Sequence, residues 1–176
     1  IKKYQVLSLS FMDNLLPAKG LEQLFKRIQK IGKDLRLFSE LRATTPRTVL
    51  AAMGDAGMAE VQVGIESLNS RLLKKLNKGT TAMDNMEIMK NCEIPGFPNL
   101  TGNLILCFPS SDEQDVAETL ACLEFTFPFR PLKGIPFWLG YGSGVFEMPE
   151  AYGIKRLRNH PYYAYFFPPE VLRGLR

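Results

Sequence analysis

Val61-Gln-Val-Gly-Ile-Glu-Ser67 is the stretch that decides the fold. Residues 61–65 form a short apolar run of strand type, and Glu66-Ser67 end it. A basic helix around Leu72, Leu73 and Leu76 follows at once and stops at Gly79. Toward the C-terminus, Thr80 or Thr81 can cap a helix with Met83, Met86, Met89 and Cys92 on one side, a methionine stripe of the kind that packs into a core. A strand over 100–108 comes next. Ser110-Ser111-Asp112-Glu113 then opens a helix with Val116, Leu120 and Leu123 inward and its acids in the favourable first turn, before a strand over 135–139. Toward the N-terminus, residues 4–10 read as a strand stopped by Asp13-Asn14. They lead to a helix carrying Leu21, Leu24, Phe25, Ile28 and Ile31, and to a short strand over 35–38. Thr45-Pro46 then begins a helix with Val49, Leu50 and Met53, which Gly54 and Gly57 stop.

Strand and helix alternate throughout, with no sequential hairpins, so the sequence predicts an α/β fold of parallel strands joined by crossover helices. Two architectures compete: an open doubly wound sheet and an arc of a barrel. No Gly-x-Gly-x-x-Gly lies between a strand and a helix, so the dinucleotide fingerprint is missing. In a βα barrel the working groups gather where the strands end. Here those ends are Asp13-Asn14, Glu40 with Arg42, Glu66-Ser67, Pro109-Ser110-Ser111 and residues 141–143, every one of them polar. Helix capping accounts for Ser, Asn and Asp at such places, but not for Glu40, Arg42 and Glu66. A carboxylate at a strand end accepts two hydroxyls or an ammonium, and an Arg beside it binds a carboxylate through two hydrogen bonds. Glu66 is read mainly as a ligand-binding carboxylate. For Arg42, ligand binding and a supporting ion pair both remain open.

Composition bounds the rest. The chain has 176 residues, 45% hydrophobic and 23% charged, which excludes disorder and fibrous repeats and suffices for one domain with a real core. No apolar run approaches the roughly 20 residues of a membrane span, and Ile-Lys-Lys-Tyr opens no export signal, so the expectation is a cytoplasmic protein. The formal charge of +4 comes from cations scattered through Lys74-Lys75, Lys78 and Lys155-Arg156-Leu157-Arg158, the first two without interleaved aromatics, and no nucleic-acid interface is expected. Cys92, Cys107 and Cys122 match no zinc or cluster spacing, and Cys107, within an apolar strand, is expected to be a small buried hydrophobe. The aromatic run Tyr162-Tyr-Ala-Tyr-Phe-Phe167 is read as packing in preference to stacking on a substrate.

The stretches Glu40-Leu-Arg-Ala43, Met53-Gly-Asp-Ala-Gly57, Val61-Gln-Val-Gly-Ile-Glu-Ser67 and Leu73-Lys-Lys-Leu-Asn-Lys-Gly79 together resemble the core of radical S-adenosylmethionine enzymes. More narrowly they resemble the cobalamin-binding branch, which includes peptide maturases and the anaerobic magnesium-protoporphyrin monomethyl ester oxidative cyclases. Asn103-Leu-Ile-Leu-Cys-Phe-Pro109 and Phe146-Glu-Met-Pro-Glu-Ala-Tyr-Gly153 look most like the peptide-maturation subgroup.

The resemblance implies a partial TIM-like barrel whose strand ends hold S-adenosylmethionine against a four-iron, four-sulfur cluster, from which a 5′-deoxyadenosyl radical arises for methyl transfer or oxidation of a peptide. Carried onto this sequence, Glu66, with Ser67 beside it, would hold the ribose hydroxyls. Asp13 and Asn14 would lie near the methionine ammonium, Glu40 and Arg42 near its carboxylate, and residues from Leu104 through Leu106 to Pro109 would line the adenine. A peptide or porphyrin substrate and an electron donor are the partners it implies.

The chain departs from the family in two respects. The three-cysteine cluster motif is absent, and Cys107 stands where glycine is usual, with Ser110-Ser111 where Gly-Glu is common. A full barrel takes about 250 residues, so residues 1–176 are read as one domain of a longer catalytic core. The first barrel strand, the cluster loop and a cobalamin-binding domain are expected upstream. The alternative from another class is a barrel-like binding domain without catalysis.

Overall fold

The computed structural model describes residues 3–12, 16 and 19–174. These divide into two compact units, one of residues 1–106 with 111–136, the other of residues 107–110 with 137–176.

The first unit is a single parallel sheet. Its strands are β1 (Ser8–Ser10), β2 (Arg36–Leu41), β3 (Met58–Glu66), β4 (Asn99–Leu106) and β5 (Lys133–Pro136), and they lie side by side in chain order. All four pairings are parallel. The connecting helices are α1 (Leu21–Gln29), α2 (Arg47–Asp55), α3 (Ser70–Lys75), α4 (Ala82–Asn91) and α5 (Glu113–Thr126). A doubly wound sheet reverses its strand order at a switch point. This sheet never does, and right-handed crossovers in an unreversed order all fall on the same side. The competition between architectures therefore resolves to a barrel arc, and the sheet is not closed.

Burial alternates along the strands as one covered face requires. Leu37, Ser39 and Leu41 of β2, Val61, Val63 and Ile65 of β3, and Leu100, Gly102 and Leu104 of β4 point to the helices. With Phe25, Leu50, Met53, Ile88 and Met89 they form the core. The opposite face carries Glu40, Gln62 and Thr101, so the concave side of the arc is polar and half open. Two glycines let the layers meet. A β-carbon on Gly54 would fall 1.9 Å from the Gly96 carbonyl oxygen, and one on Gly57 (φ +90) 2.2 Å from that of Leu35.

Element boundaries shift by a few residues, and three packing expectations are corrected. In α4 Met86, Met89 and Cys92 pack inward as the stripe requires, beside Ala82, Asn85 and Ile88, and the correction is confined to Met83, which is exposed. In α5 Asp115, Thr119, Cys122, Leu123 and Thr126 turn inward, at helical spacing, whereas Val116 and Leu120 are exposed. The rotation is fixed by Asp115, which closes a capping box with Asp112 and accepts from Arg71 at 2.7 Å. Cys107 is exposed rather than buried, because β4 ends at Leu106 and the backbone turns left-handed at Cys107 (φ +57).

The second unit is irregular and aromatic. It contains α6 (Gly144–Glu147), capped by Ser143, a 3-10 turn over Pro149–Tyr152 that Gly153 closes at φ +69, α7 (Tyr163–Phe166) and α8 (Pro169–Gly174). Phe108 makes edge-to-face contacts with Phe137 and Tyr152. Tyr162 packs on His160 and Tyr165, and Tyr163 on Phe167, yet these residues and Phe166 are exposed, so the tail's packing is at the surface and adds nothing to the buried core. Among the described residues no helix is long and apolar enough to cross a membrane.

Candidate functional site

Glu66 ends β3 in a conformation that ordinary residues avoid. Its φ is +58, and the Ser67 N–H donates to the Ile65 carbonyl at 2.6 Å, closing a three-residue turn centred on Glu66. A γ-turn of this hand is rare and strained, at a cost of ~1–3 kcal/mol for a side-chain-bearing residue. The β3–β4 register slips between Val63 and Glu66, so that Glu66 comes level with Leu104. Strain of this kind persists where the surroundings over-determine it, and three neighbours do so here.

Lys78, in the loop after α3, donates to Oε1 of Glu66 at 3.1 Å, with the two side chains 32% and 23% exposed. Oε2 accepts from no partner among the described residues. Beneath the pair lies Gly64, whose missing β-carbon would stand 3.0 Å from Nζ of Lys78 and 3.4 Å from Oε1 of Glu66. Behind it Asn85, wholly buried on α4, donates through Nδ2 to the carbonyls of Ile65 (2.9 Å) and Ser67 (2.8 Å), the residues flanking Glu66.

The turn beyond is fixed as firmly. The Ser67 hydroxyl accepts from the Asn69 N–H at 3.0 Å, and Asn69 caps α3 by accepting from the Leu72 N–H. Asn69 also donates to Glu118 at 2.7 Å, while Arg71 and Lys75 pair with the buried Asp115. An ionic and amide network thus ties α3 to the start of α5. The Arg71 guanidinium and the hydrogen bond from the Asp115 N–H hold the Asp112 carboxyl below its ordinary range, the N–H being the larger influence.

The structure treats the sequence-predicted residues unequally. Glu66 stands at the centre of this arrangement, and Ser67 is spent inside its turn. Glu40 pairs in register with Gln62, four residues before Glu66, which is about 13 Å down the strand at ~3.3 Å per residue. Arg42 is exposed, and its carbonyl accepts from the Thr45 N–H and hydroxyl. Neither Glu40 nor Arg42 forms an ion pair among the described residues. Leu106 closes β4 opposite Pro136. Pro109 lies in the second unit. Asp13 and Asn14 lie outside the described residues. Lys78, Asn85 and Gly64 went unpredicted. Only Gly64, glycine in a strand where backbone or ligand approaches closely, left a readable signal.

This donor set fits S-adenosylmethionine in one respect that the chain itself shows: a partly buried carboxylate with one oxygen unpartnered among the described residues, above a strand glycine, suits a pair of ribose hydroxyls. It does not fit an iron–sulfur cluster. Among the described residues no group of three or more Cys, His, Asp or Glu is placed to hold a metal. Cys92 is buried, and burial pushes its thiol up to about 12.

Comparison with known proteins agrees. A family model described as the radical SAM superfamily matches residues 2–123. An uncharacterized methyltransferase of Pyrococcus horikoshii is 28% identical over 121 residues, covering 67% of this chain and 26% of the relative. A tRNA-2-methylthio-N(6)-dimethylallyladenosine synthase of Oceanobacillus iheyensis is 29% identical over 129 residues, covering 66% and 25%. The chain therefore spans about a quarter of the length of these curated relatives. Among solved structures, the cobalamin-dependent S-adenosylmethionine radical enzyme OxsB superposes with a TM-score of 0.59 at 17% identity, over 86% of this chain and 24% of that one. The archaeal Elp3 of Methanocaldococcus infernus superposes with a TM-score of 0.55 at 22% identity, over 76% and 32%.

Proposed function

The chain belongs to the radical SAM superfamily, and from that premise we propose that it is the S-adenosylmethionine-holding part of an enzyme that transfers a methyl group to a peptide. Membership implies S-adenosylmethionine and a four-iron, four-sulfur cluster at the level of the family. The observation that carries the reading is the strained Glu66, held over Gly64 with one carboxylate oxygen unpartnered among the described residues.

Each residue has a definite task. Glu66 accepts the two ribose hydroxyls of S-adenosylmethionine. Lys78 holds the Glu66 carboxylate in its aim, and Gly64 leaves room for both heads. Bound there, S-adenosylmethionine supplies the radical and methyl-transfer chemistry, and the chain contributes position and shelter from water. The methyltransferase and methylthio-synthase names of the curated relatives support transfer of a one-carbon or sulfur-bearing group. The peptide substrate rests on the likeness of Asn103-Leu-Ile-Leu-Cys-Phe-Pro109 and Phe146-Glu-Met-Pro-Glu-Ala-Tyr-Gly153 to peptide-maturing members. Cobalamin belongs to the proposal for the whole protein, as does an electron donor.

The test uses the full-length protein with its cluster reconstituted anaerobically. With reductant and S-adenosylmethionine it should form 5′-deoxyadenosine and S-adenosylhomocysteine, and Glu66→Gln should cut both at least tenfold. Products formed equally well by the variant would overturn the role of Glu66, and no product from the parent would overturn the enzyme reading.

A further inference from the structure

We propose that Asn85 is a positioning residue for S-adenosylmethionine, acting through the backbone of Glu66 without touching the ligand. The inference rests on the reading of Glu66 given above.

A left-handed turn at a glutamate relaxes to ordinary β geometry unless something holds both sides of it. One carboxamide does so here. Nδ2 of Asn85 reaches the carbonyl before Glu66 and the carbonyl after it, at 2.9 and 2.8 Å. Two carbonyls drawn to a single donor group face the same point, which is the geometry that a chain reversing at Glu66 must present. The donor is itself immobile. Asn85 is wholly buried, one turn into a helix whose start is locked by the reciprocal Thr81–Asp84 capping box.

The other end of the side chain shows that packing alone does not explain the residue. Oδ1 of Asn85 is buried and has no partner among the described residues. An aliphatic side chain would fill this site without an orphaned acceptor, and burying one is costly. Asn85 is thus a net liability to packing whose gain lies in the two bonds to the Glu66 turn. The consequence is a carboxylate aimed at the ligand before the ligand arrives, so that binding need not order the loop.

The test is a double-mutant cycle on S-adenosylmethionine affinity in the full-length, cluster-bearing protein, by equilibrium dialysis without reductant so that the ligand stays intact. Four forms are compared: parent, Asn85→Leu, Glu66→Gln and the double variant. Asn85→Leu should weaken binding at least tenfold in the parent and less than twofold in the Glu66→Gln background. Phe25→Leu thins the core beside α1 and removes no bond to the Glu66 turn, and it should lower thermal stability while leaving affinity unchanged. If Asn85→Leu does not fold, Asn85→Thr, smaller and keeping one donor, replaces it in the same cycle. Equal losses in the two backgrounds, or an affinity within twofold of the parent for the Asn85 variant alone, overturn the inference while the role of Glu66 stands. An unchanged affinity for Glu66→Gln overturns that role, and this inference with it.

Discussion

Oε1 of Glu66 and Nζ of Lys78 meet 3.1 Å apart directly above Gly64, whose absent β-carbon would crowd the ammonium and touch the carboxylate. The ion pair is therefore shaped by a residue that makes no polar contact with it. A methyl group at Gly64 would meet only the ends of two flexible side chains, so the fold tolerates Gly64→Ala and the pair does not. Affinity for S-adenosylmethionine should fall about tenfold, or ~1.4 kcal/mol, while the thermal midpoint stays within about 2 °C. Isothermal titration beside a melting curve decides it, and an unchanged affinity removes the need for an empty space under the pair.

Other glycines should sort by what stands against them. Gly54 and Gly57 face backbone oxygens at 1.9 and 2.2 Å, whereas Gly79 (φ +68) has nothing within 4 Å. Gly79→Ala should cost only the left-handed penalty, about 1–2 kcal/mol. Gly54→Ala and Gly57→Ala must move β-strand or loop backbone, and each should cost more, about 3 kcal/mol or above. Urea denaturation ranks them. Gly79→Ala as the most damaging of the three would contradict the packing of α2 against β2 and the residues after α4.

The sequence made the sheet legible because its buried strands are apolar runs that helices separate. Val61, Val63 and Ile65 stand inward as the pattern requires. It misled at α4 and α5 for a common reason. At α5 Val116 was the natural inward residue and Asp115 holds that face, while at α4 the stripe found Met86, Met89 and Cys92 but took in the exposed Met83 and passed over the buried Asn85. A buried polar residue rotates a helix by about 100° per position, and its partners, Ile65 and Ser67 for one and Arg71 for the other, lie far away in the chain. Hydrophobic periodicity cannot register a polar contact made across the fold. The same blindness hid Lys78, whose role appears only once the loop after α3 folds back over Gly64. Glu66 was readable because a carboxylate at the end of an apolar strand has no local reason to be there.

The Arg71–Asp115 pair is lopsided, and that fixes which half matters more. Asp115 is wholly buried, while the Arg71 side chain is 41% exposed. Arg71→Met strands a buried carboxylate with Lys75 at 3.4 Å as its remaining counterion, and should be the more damaging of the two changes. Asp115→Asn leaves an uncharged amide in the same shape and lets Arg71 turn to water, a loss of about 1–2 kcal/mol that includes the weakened cap. Chemical denaturation of the two variants should give that order. The reverse order would show that Arg71 is not the partner that offsets the burial of Asp115.

Thiol chemistry should follow burial. Cys107 is exposed, Cys122 partly buried and Cys92 buried with its thiol raised to about 12. At pH 8 iodoacetamide should modify Cys107 first and Cys122 more slowly, and Cys92 only on unfolding. Peptide mass spectrometry over a time course reads this directly, and early modification of Cys92 would place α4 wrongly in the core.

Acid sensitivity supplies the last test, and its sign follows from the Thr81–Asp84 box. The Thr81 hydroxyl and N–H both donate to Asp84, and they hold its carboxyl below the ordinary 3.8. A folded-state value below the unfolded one means that the ionised box stabilises the protein above the unfolded pKa. That contribution is lost as pH falls through the folded one. The parent should therefore lose stability from about pH 4 downward in part through this site. Asp84→Asn removes the titrating group, so the variant should be less stable at pH 7 and closer to the parent at pH 3. Melting curves at the two pH values measure the difference, and a gap between parent and variant that widens as the solution is acidified would show that the capping box does not stabilise α4 through its charge.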